Sequence, residues 1–261
     1  MDDIAENSWH LSKMLRIIFP CMPYALNEIE PMFEPQMRAA EARGLSFSFL
    51  SYEDFQQEGR VVLRPRPEED ELLLLRGWML KPEEYARIGR FLTSAEHYRE
   101  MHWMDGWYKR IPEFTAETRF LEERPEIEAL LAEWGQAFVK DRVKSCTVHG
   151  LPIVSDWAEL QALRETMIEF RGEIEGGLCL RRVEAYTEEC RIFVWRGQVH
   201  HRDIAAPALK LAQRVATRFD SPFFTIDLGL RVDGEWRVIE LGDGQVSDLK
   251  EWTPEDLFAI F

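Results

Sequence analysis

The stretch Phe223 to Ser247, FFTIDLGLRVDGEWRVIELGDGQVS, contains the strongest local folding signal in the chain. It predicts two β-strands joined at Asp233-Gly234, because both central residues of a type I′ turn need positive φ and this dipeptide accepts it. If the loop contains only these two residues, Asp227 lies directly opposite Glu240, with the Cβ atoms roughly 5 Å apart. Two carboxylates placed in this way destabilise a sheet, and a divalent cation between them would offset the repulsion.

The other face of this hairpin is apolar. Its side chains line up across the two strands: Ile226, Leu228, Leu230, Ile239 and Leu241. We therefore expect the apolar face to pack inward and the acidic face to point the other way. The hairpin alone also fits a solvated outer face, since half-buried antiparallel sheets normally carry charges on the side that faces water.

The composition is that of an acidic globular protein. Its 261 residues are enough for one large or two to three small packed units, and 47 acidic against 32 basic residues give a net charge of −15. This charge argues against nucleic acid or an anionic membrane as a partner, although local basic patches leave nucleic acid open. No apolar run approaches the length of a membrane span, and the charged N-terminus lacks the apolar core of a signal peptide. We therefore expect a cytoplasmic protein.

The cysteine pattern supports the same expectation. Four cysteines are scattered along the chain without CxxC spacing: Cys21, Cys146, Cys179 and Cys190. Such a pattern is typical of reduced thiols in an intracellular protein, and we expect no zinc site.

The first 125 residues alternate between predicted strands and helices. Short apolar runs at residues 15–19, 45–50 and 72–75 predict strands, and helical spacing between residues 28 and 43 and after Pro82 predicts the helices between them. This alternation is typical of a parallel sheet in an α/β layer. Residues 95–125 are rich in aromatic side chains, which we interpret as packing between this unit and the rest of the chain.

A basic strand is predicted at residues 136–145, QAFVKDRVKS. Its period of two places Lys140, Arg142 and Lys144 on one face. Three cations on one face repel one another, so a polyanion such as a chain of phosphates is a reasonable partner. The alternative is a solvated edge strand, whose lysines discourage aggregation.

A second hairpin is predicted around Arg196-Gly197. If this turn is also two residues long, Arg191 lies opposite Arg202, and an anion would relieve the repulsion between the paired guanidinium groups. The turn is a weaker signal than Asp233-Gly234, because arginine tolerates positive φ poorly.

Taken in order, the C-terminal half shows a lysine strand, a helix, a strand ending in a linker, an ExR strand, a helix and an Asp…Glu hairpin. This order resembles the ATP-grasp superfamily, and in detail the clade of it that is named for two arginines and a lysine. The resemblance covers roughly residues 126–249. It depends on FVKDRVKS, on LRRV followed by ECRIFVWRGQV, and on TIDLGLRVDGEWRVIELGDGQVS. No single motif is specific, whereas their order and spacing together are.

The resemblance implies an α/β and α+β protein with three parts. An α/β pre-ATP-grasp domain with the aromatic bridge would span residues 1–125. The ATP-grasp fold itself would consist of two α+β subdomains, at residues 126–184 and 185–261, with ATP bound between them.

The resemblance also implies which residues contact the nucleotide. Lys140 would contact the ATP phosphates, with Lys144 and Ser145 in the neighbouring phosphate loop. The adenine would hydrogen-bond to the backbone of a linker at about residues 182–185, which includes Arg182, Val183 and Glu184.

The resemblance also implies which residues are the two arginines of the clade and which bind the metal. Arg181 and Arg191 would be the two clade arginines, with Glu189 preceding the second in its ExR setting. The resemblance implies that magnesium is bound by three acids: Asp227, Glu240 and Asp243.

Two departures from the family pattern affect these assignments. ATP-grasp ligases usually carry an asparagine two residues after the metal-binding glutamate, where this chain has Gly242. Asp243 could replace that asparagine only through a shifted backbone. The phosphate loop lacks the glycines of better-known ligases and has Lys144-Ser145 instead.

The implied reaction is ATP- and Mg²⁺-dependent ligation of a carboxylate to an amine through an acylphosphate, with release of ADP and phosphate. The substrates would be small molecules or peptides, including proteins. Lys140, Arg191 and Arg202 would neutralise the charge that develops during transfer. Two alternatives are a kinase or an enzyme that modifies nucleic-acid ends, and a catalytically silent nucleotide-binding module. His200 and His201 could act as acid or base, but lone strand histidines are more often structural.

Overall fold

The computed structural model describes residues 15–143 and 150–261. The N-terminal unit is an α/β layer whose strands are β1 Leu15–Met22, β2 Ala25–Ile29, β3 Ser46–Leu50, β4 Leu63–Arg64 and β5 Leu72–Leu75. Strand β1 is central and pairs in parallel with β3 and with β5. Two helices lie in the connections between these strands, α1 Glu34–Ala42 and α2 Tyr52–Glu58, and a third, α3 Pro82–Ile88, follows β5. The predicted parallel α/β layer is confirmed.

One predicted helix begins later than its apolar spacing suggested. Residues 25–29, which include the expected start at Glu28, form β2 and pair back onto β1 in antiparallel fashion. A 3₁₀ turn at Pro31–Phe33 follows, and α1 begins at Glu34, with Pro35 in its first turn. Proline is well tolerated there because the first amide groups of a helix have no intrahelical acceptor. Helical periodicity alone could not show that the first residues pair with β1.

The aromatic bridge folds into α4 Ala95–His102 and α5 Met104–Trp107, followed by short 3₁₀ turns. Trp107 and Phe114 are buried in a core that they share with α8 Ala206–Ala216 and with the C-terminal sheet. Tyr98 of α4 is buried in the core of the N-terminal unit, together with Ile18 and Leu75. The bridge therefore packs the N-terminal unit against the C-terminal part of the chain.

The second sheet is antiparallel and has the order β6-β9-β7-β8. Its strands are β6 Thr118–Arg119, β7 Ala137–Asp141, β8 Ile153–Val154 and β9 Leu178–Arg182, and its helices are α6 Arg124–Trp134 and α7 Trp157–Arg171. The basic strand ends at Asp141, earlier than predicted. The predicted phosphate-loop residues Lys144 and Ser145 lie outside the described residues.

The third sheet is also antiparallel, with the order β11-β10-β12-β13. Its strands are β10 Tyr186–Trp195, β11 Gln198–His200, β12 Phe223–Arg231 and β13 Trp236–Asp243. Helix α8 covers its apolar face, which includes Ile226 and Leu241. A last helix, α9 Pro254–Phe258, packs against α1 of the N-terminal unit. No helix in the described ranges is long and apolar enough to cross a membrane.

The hairpin between β12 and β13 differs from the predicted one at its turn. Gly234 has a φ of 88° whereas Asp233 does not have positive φ, and Arg231 donates its backbone N–H to the Glu235 carbonyl at 2.9 Å. The loop therefore has three residues, with glycine in the left-handed position, and is not a two-residue type I′ turn. This loop shifts the register by one residue, so that Leu228 pairs with Val238.

A β-bulge corrects that shift before the acidic residues are reached. The register changes between Leu228 and Asp227, with Ile239 as the extra residue, and Asp227 pairs with Glu240. The predicted opposition of the two acids is confirmed. The predicted alignment of Ile239 within the apolar ladder is wrong, because a bulged residue has no direct partner.

Buried polar side chains connect the N-terminal unit to the end of β13. Gln245 accepts a hydrogen bond from the Leu75 amide at 2.9 Å, and its side-chain amide donates to the Tyr85 hydroxyl at 2.9 Å and to Asp243 at 3.1 Å. Asp243 is fully buried, and its Oδ2 has no hydrogen-bond partner among the described residues. Burial raises the pKa of Asp243 to about 7, even though the bonds from Gln245 and the charge of Arg76 act in the opposite direction.

This raised pKa predicts a pH-dependent stability. Between the unfolded pKa near 4 and the folded pKa, the native state holds a proton that the unfolded chain has lost, so stability falls as pH rises. Relative to an Asp243→Asn variant, we expect the wild type to lose about 2 to 3 kcal/mol of unfolding free energy between pH 5 and pH 8. Urea denaturation in EDTA at several pH values measures this difference. Parallel pH profiles for the two proteins would contradict it.

Candidate active site

Asp227 and Glu240 form the centre of the site, on neighbouring strands of the third sheet. Asp227 is buried and accepts two hydrogen bonds from Arg191, at 2.8 and 2.7 Å, and one from the Lys250 ammonium at 3.0 Å. Burial alone would raise the pKa of Asp227, but the bonds and charges of Arg191 and Lys250 hold it below its ordinary value. Asp227 is therefore an ionised carboxylate with two cationic partners.

Arg191 is held in place by the segment that follows β13, residues 248–252, which we call the C-terminal strap. The guanidinium donates to the Asp248 carbonyl at 2.9 Å and to its carboxylate. The backbone N–H of Arg191 donates to Glu251 at 2.6 Å, and its carbonyl accepts from the Trp252 indole at 2.9 Å. Burial would lower the pKa of Arg191, whereas the bond and charge of Asp227 and the charge of Asp248 raise it, so the guanidinium stays charged.

Glu240 is paired with Lys140, which reaches across from β7 in the second sheet. The side chain of Lys140 is only 2% exposed, and its ammonium donates to Glu240. A buried ammonium needs an anionic or polar partner, because burial without one is costly. Lys140 and Glu240 therefore connect the two sheets at the site.

Arg181 makes a second connection between the same two sheets. It is buried, and it donates to the carbonyl of the bulge residue Ile239 at 2.8 Å and to the Thr115 hydroxyl at 2.8 Å. Burial lowers the pKa of Arg181. By binding the carbonyl of the bulge, Arg181 stabilises the irregularity that places Glu240 opposite Asp227.

The predicted adenine linker lies between β9 and β10. Arg182 donates to Glu117 at 3.2 Å and stacks over the Trp134 ring at 4.9 Å. The Glu184 carboxylate accepts from the Tyr186 hydroxyl at 2.6 Å. Val183 follows the last residue of β9, and the backbone N–H of Arg182 donates to the Glu117 carbonyl at 2.8 Å.

Other predicted residues lie at varying distances from the centre. Glu189 is on the same strand face as Arg191, is exposed, and lies 4.0 Å from the Lys250 ammonium. Arg202 follows β11 and donates to the Glu251 carbonyl at 3.0 Å and to Asp256 at 2.9 Å. The predicted pairing of Arg191 with Arg202 is wrong in the described sheet, because β11 ends at His200 and Arg191 pairs with Asp227.

Asp243 lines the same cavity as the other two acids but does not form one metal-binding group with them in the described structure. It is three residues after Glu240, so the strand alternation places the two side chains on opposite faces of β13, and Asp243 bonds to Gln245. Burial, with a contribution from His201, lowers the pKa of His200. His200 is not among the residues that line the cavity, and its Nε2 is buried without a hydrogen-bond partner among the described residues.

A cavity of about 620 Å³ opens above Asp227 and Glu240. Its far wall comes from the N-terminal unit and from α4 of the aromatic bridge. The unit contributes Met32, Phe33, Gln36, Arg76 and Trp78, and α4 contributes His102. Arg76 is fixed by hydrogen bonds to Gln36 at 2.9 Å and to the Ser247 carbonyl at 3.1 Å. The site therefore faces a pocket large enough for a small organic substrate or a peptide side chain.

Sequence reasoning missed Arg76, Lys250 and Asp248. A signal existed for Arg76, because it directly follows the apolar run of β5, and the carboxyl ends of parallel strands often carry ligand-binding residues. Lys250 and Asp248 lie in the strap, which has no regular pattern, so no local signal could have identified them.

The residues at the centre fit a magnesium ion. Asp227 and Glu240 place carboxylate oxygens at one cross-strand position, where they could hold the ion, and they line the cavity together. In the part of the chain that the structure describes, no group of three acidic, histidine or cysteine side chains could hold a metal. Magnesium needs no such cage, since it typically takes one or two carboxylates and completes its shell with phosphate oxygens and water.

Comparison with known structures shows the same architecture in ligases. The ATP-grasp ligase PsnB, complexed with a phosphomimetic variant of minimal precursor, Mg and ADP, has a TM-score of 0.63 at 11% identity, over 96% of this chain and 98% of that one. The macrocyclase MdnC from Microcystis aeruginosa MRC, bound with precursor peptide MdnA, has a TM-score of 0.60 at 10% identity, over 94% and 98%. D-cycloserine synthetase DcsG has a TM-score of 0.62 at 12% identity, over 94% and 96%. At these identities the similarity shows the fold.

The sequence comparison shows the family. No curated protein sequence matches the chain. Residues 24–260, however, match the ATP-grasp domain of family 3 in the clade named for two arginines and a lysine, and this match covers most of the chain. The predicted ATP-grasp fold is confirmed, and ATP and Mg²⁺ are the cofactors of this family of ligases. The chain belongs to the ATP-grasp superfamily, in the two-arginine, one-lysine clade that its motifs indicated.

Proposed function

We propose that this protein is an ATP- and Mg²⁺-dependent carboxylate–amine ligase that acts through an acylphosphate on a peptide or small-molecule substrate. The observation that carries the proposal is the cross-strand pair Asp227 and Glu240 on the wall of the cavity, with Arg191 bound to Asp227 and the buried Lys140 bound to Glu240. The related folds of a D-cycloserine synthetase and of ligases bound to precursor peptides support both substrate classes.

In this proposal ATP lies between the second and third sheets. Lys140 and Arg181 already reach from the second sheet to β13 and would bind phosphate oxygens, with Lys144 and Ser145 nearby. The adenine would hydrogen-bond to the backbone of the linker between β9 and β10, at Arg182, Val183 and Glu184.

The chain's own residues would then stabilise the transfer of the γ-phosphate to the substrate carboxylate. Magnesium, held by Asp227 and Glu240, would neutralise phosphate charge. Arg191 is fixed by Asp227 and the strap, so it can stabilise the oxyanion that develops without reorganising. We assign no such part to Arg202, because it is not among the residues that line the cavity and its guanidinium bonds to the Glu251 carbonyl and to Asp256.

The acid substrate would occupy the cavity between the N-terminal unit and the third sheet. Its carboxylate would face Arg191, while Met32 and Trp78 would contact its remaining part. A nucleophilic side chain is not required, since attack by an amine on the acylphosphate forms the amide and releases phosphate.

Product analysis tests the proposal. The protein is incubated with Mg-ATP and pooled amino acids, peptides and RNA ends, and ADP, AMP, phosphate and new amides are separated. ADP, phosphate and an amide support ligation. AMP release would contradict it, phosphorylated product without an amide would indicate a kinase, and nucleotide binding without turnover would indicate a silent module.

The metal assignment predicts the behaviour of two variants. Asp227→Asn and Glu240→Gln should each reduce Mg²⁺-dependent ADP formation at least a hundredfold, because each removes a charged metal ligand. Glu188→Gln on the exposed part of β10 is the matched control and should keep wild-type rates. Thermal unfolding shows whether each variant is folded. Wild-type rates in either site variant would refute the assignment.

The phosphate assignment concerns Lys140. A Lys140→Met variant keeps most of the buried volume but removes the ammonium, so we expect ATP affinity to fall at least tenfold. Calorimetric titration with ADP and with ATP measures this change, and Lys109→Met on the surface is the control. An unchanged nucleotide affinity in folded Lys140→Met would remove Lys140 from the phosphate site.

A further inference from the structure

The acidic face of the third sheet carries two more residues beside the carboxylate pair. On the ladder, Thr225 pairs with Gly242, and each is two residues from Asp227 or Glu240 on its own strand. Because side chains alternate along a strand, all four positions lie on one face. Three of them carry oxygen atoms, and the fourth is a glycine.

Position 242 has no room for a side chain, because the hydroxyl groups of Thr225 and Ser247 occupy the space above it. A Cβ at Gly242 would lie 2.9 Å from Thr225 Oγ1 and 2.9 Å from Ser247 Oγ, closer than real Cβ contacts. The two hydroxyl oxygens are 3.0 Å apart. The space that a side chain at position 242 would fill is therefore occupied by a hydroxyl pair, Thr225 and Ser247, which also lines the cavity.

The hydroxyl protons of Thr225 and Ser247 are both donated to acceptors within the protein. Ser247 donates to the Asp243 carbonyl at 2.8 Å, and Thr225 has the Gly242 carbonyl at 3.3 Å and Ser247 Oγ at 3.0 Å as acceptors. A hydroxyl has one proton and two lone pairs, so the pair offers lone pairs to a ligand. Such a pair suits a cation and not a phosphate or carboxylate oxygen.

We propose that the hydroxyl oxygens of Thr225 and Ser247 provide further oxygen ligands for the magnesium ion, beside the carboxylates of Asp227 and Glu240. This inference rests on the proposed function and deepens it. Serine and threonine hydroxyls bind Mg²⁺ in other nucleotide sites. The hydroxyl pair would supply the oxygen ligand that an asparagine at position 242 would supply in other members of the family. Asp243 would then not be needed as a metal ligand, and it connects β13 with the N-terminal unit through Gln245.

The test measures metal affinity directly. Mn²⁺ is titrated into the ADP-saturated protein and free Mn²⁺ is followed by electron paramagnetic resonance. Thr225→Val and Ser247→Ala should each weaken Mn²⁺ binding about tenfold, whereas Thr225→Ser keeps the oxygen and should retain wild-type affinity. Thr187→Val, a strand threonine of β10 that bonds to the Leu230 carbonyl, is the control. Wild-type affinity in folded Thr225→Val and Ser247→Ala would overturn the proposal.

A rescue variant separates lost ligation from lost packing. In Thr225→Ala/Ser247→Ala, the space above position 242 is open, so adding Gly242→Asn should restore Mn²⁺ affinity to within a few-fold of the wild type. If the triple variant is folded but binds Mn²⁺ no more tightly than the double variant, an oxygen ligand in the space above position 242 is contradicted. If the wild type itself binds no Mn²⁺ with ADP, the proposed function fails. If it binds normally and the variants match it, only the hydroxyl inference fails.

Discussion

The meeting of Asp227 and Glu240 at one cross-strand position is the constraint on which the site depends. If the charges are separated by about 5 Å, the usual Cβ spacing of a cross-strand pair, they repel by about 3 kcal/mol at an effective dielectric constant of 20. Three cations offset this repulsion: Arg191 and Lys250 bind Asp227, and Lys140 binds Glu240. These cations come from β10, from the C-terminal strap and from the second sheet. The carboxylate pair thus determines how three separate parts of the chain are placed around it.

The irregular parts of the fold serve this arrangement. The bulge at Ile239 brings the acids into register, and Arg181 binds the carbonyl that the bulge leaves available. The strap fixes Arg191, and Gly242 leaves room for two hydroxyl groups. The N-terminal unit closes the cavity with Arg76 and is joined to the end of β13 by buried hydrogen bonds. Positioning of charges, more than any reactive side chain, is what this structure supplies.

The sequence predicted the α/β layer, the strand that carries Lys140 and the strand that carries Arg191. It also predicted that Asp227 lies opposite Glu240. That last prediction was correct for an incomplete reason, since a three-residue loop and the bulge at Ile239 cancel each other's shift in register. Local rules relate a strand only to its hairpin neighbour. They therefore paired Arg191 with Arg202, whereas its partner is Asp227 on a strand thirty-six residues away. The contribution of Lys250 depends on tertiary folding of the strap, which no local pattern describes.

The central claim is that Asp227 and Glu240 together hold the metal of a bound nucleotide. Crystals of the protein with ADP and Mn²⁺ test it most directly, because anomalous scattering locates manganese independently of the refined coordinates. We expect a peak between the two carboxylates, at about 2.0 to 2.3 Å from an oxygen of each. A peak elsewhere, or nucleotide bound in the cleft with both carboxylates still held only by lysine and arginine, would contradict it.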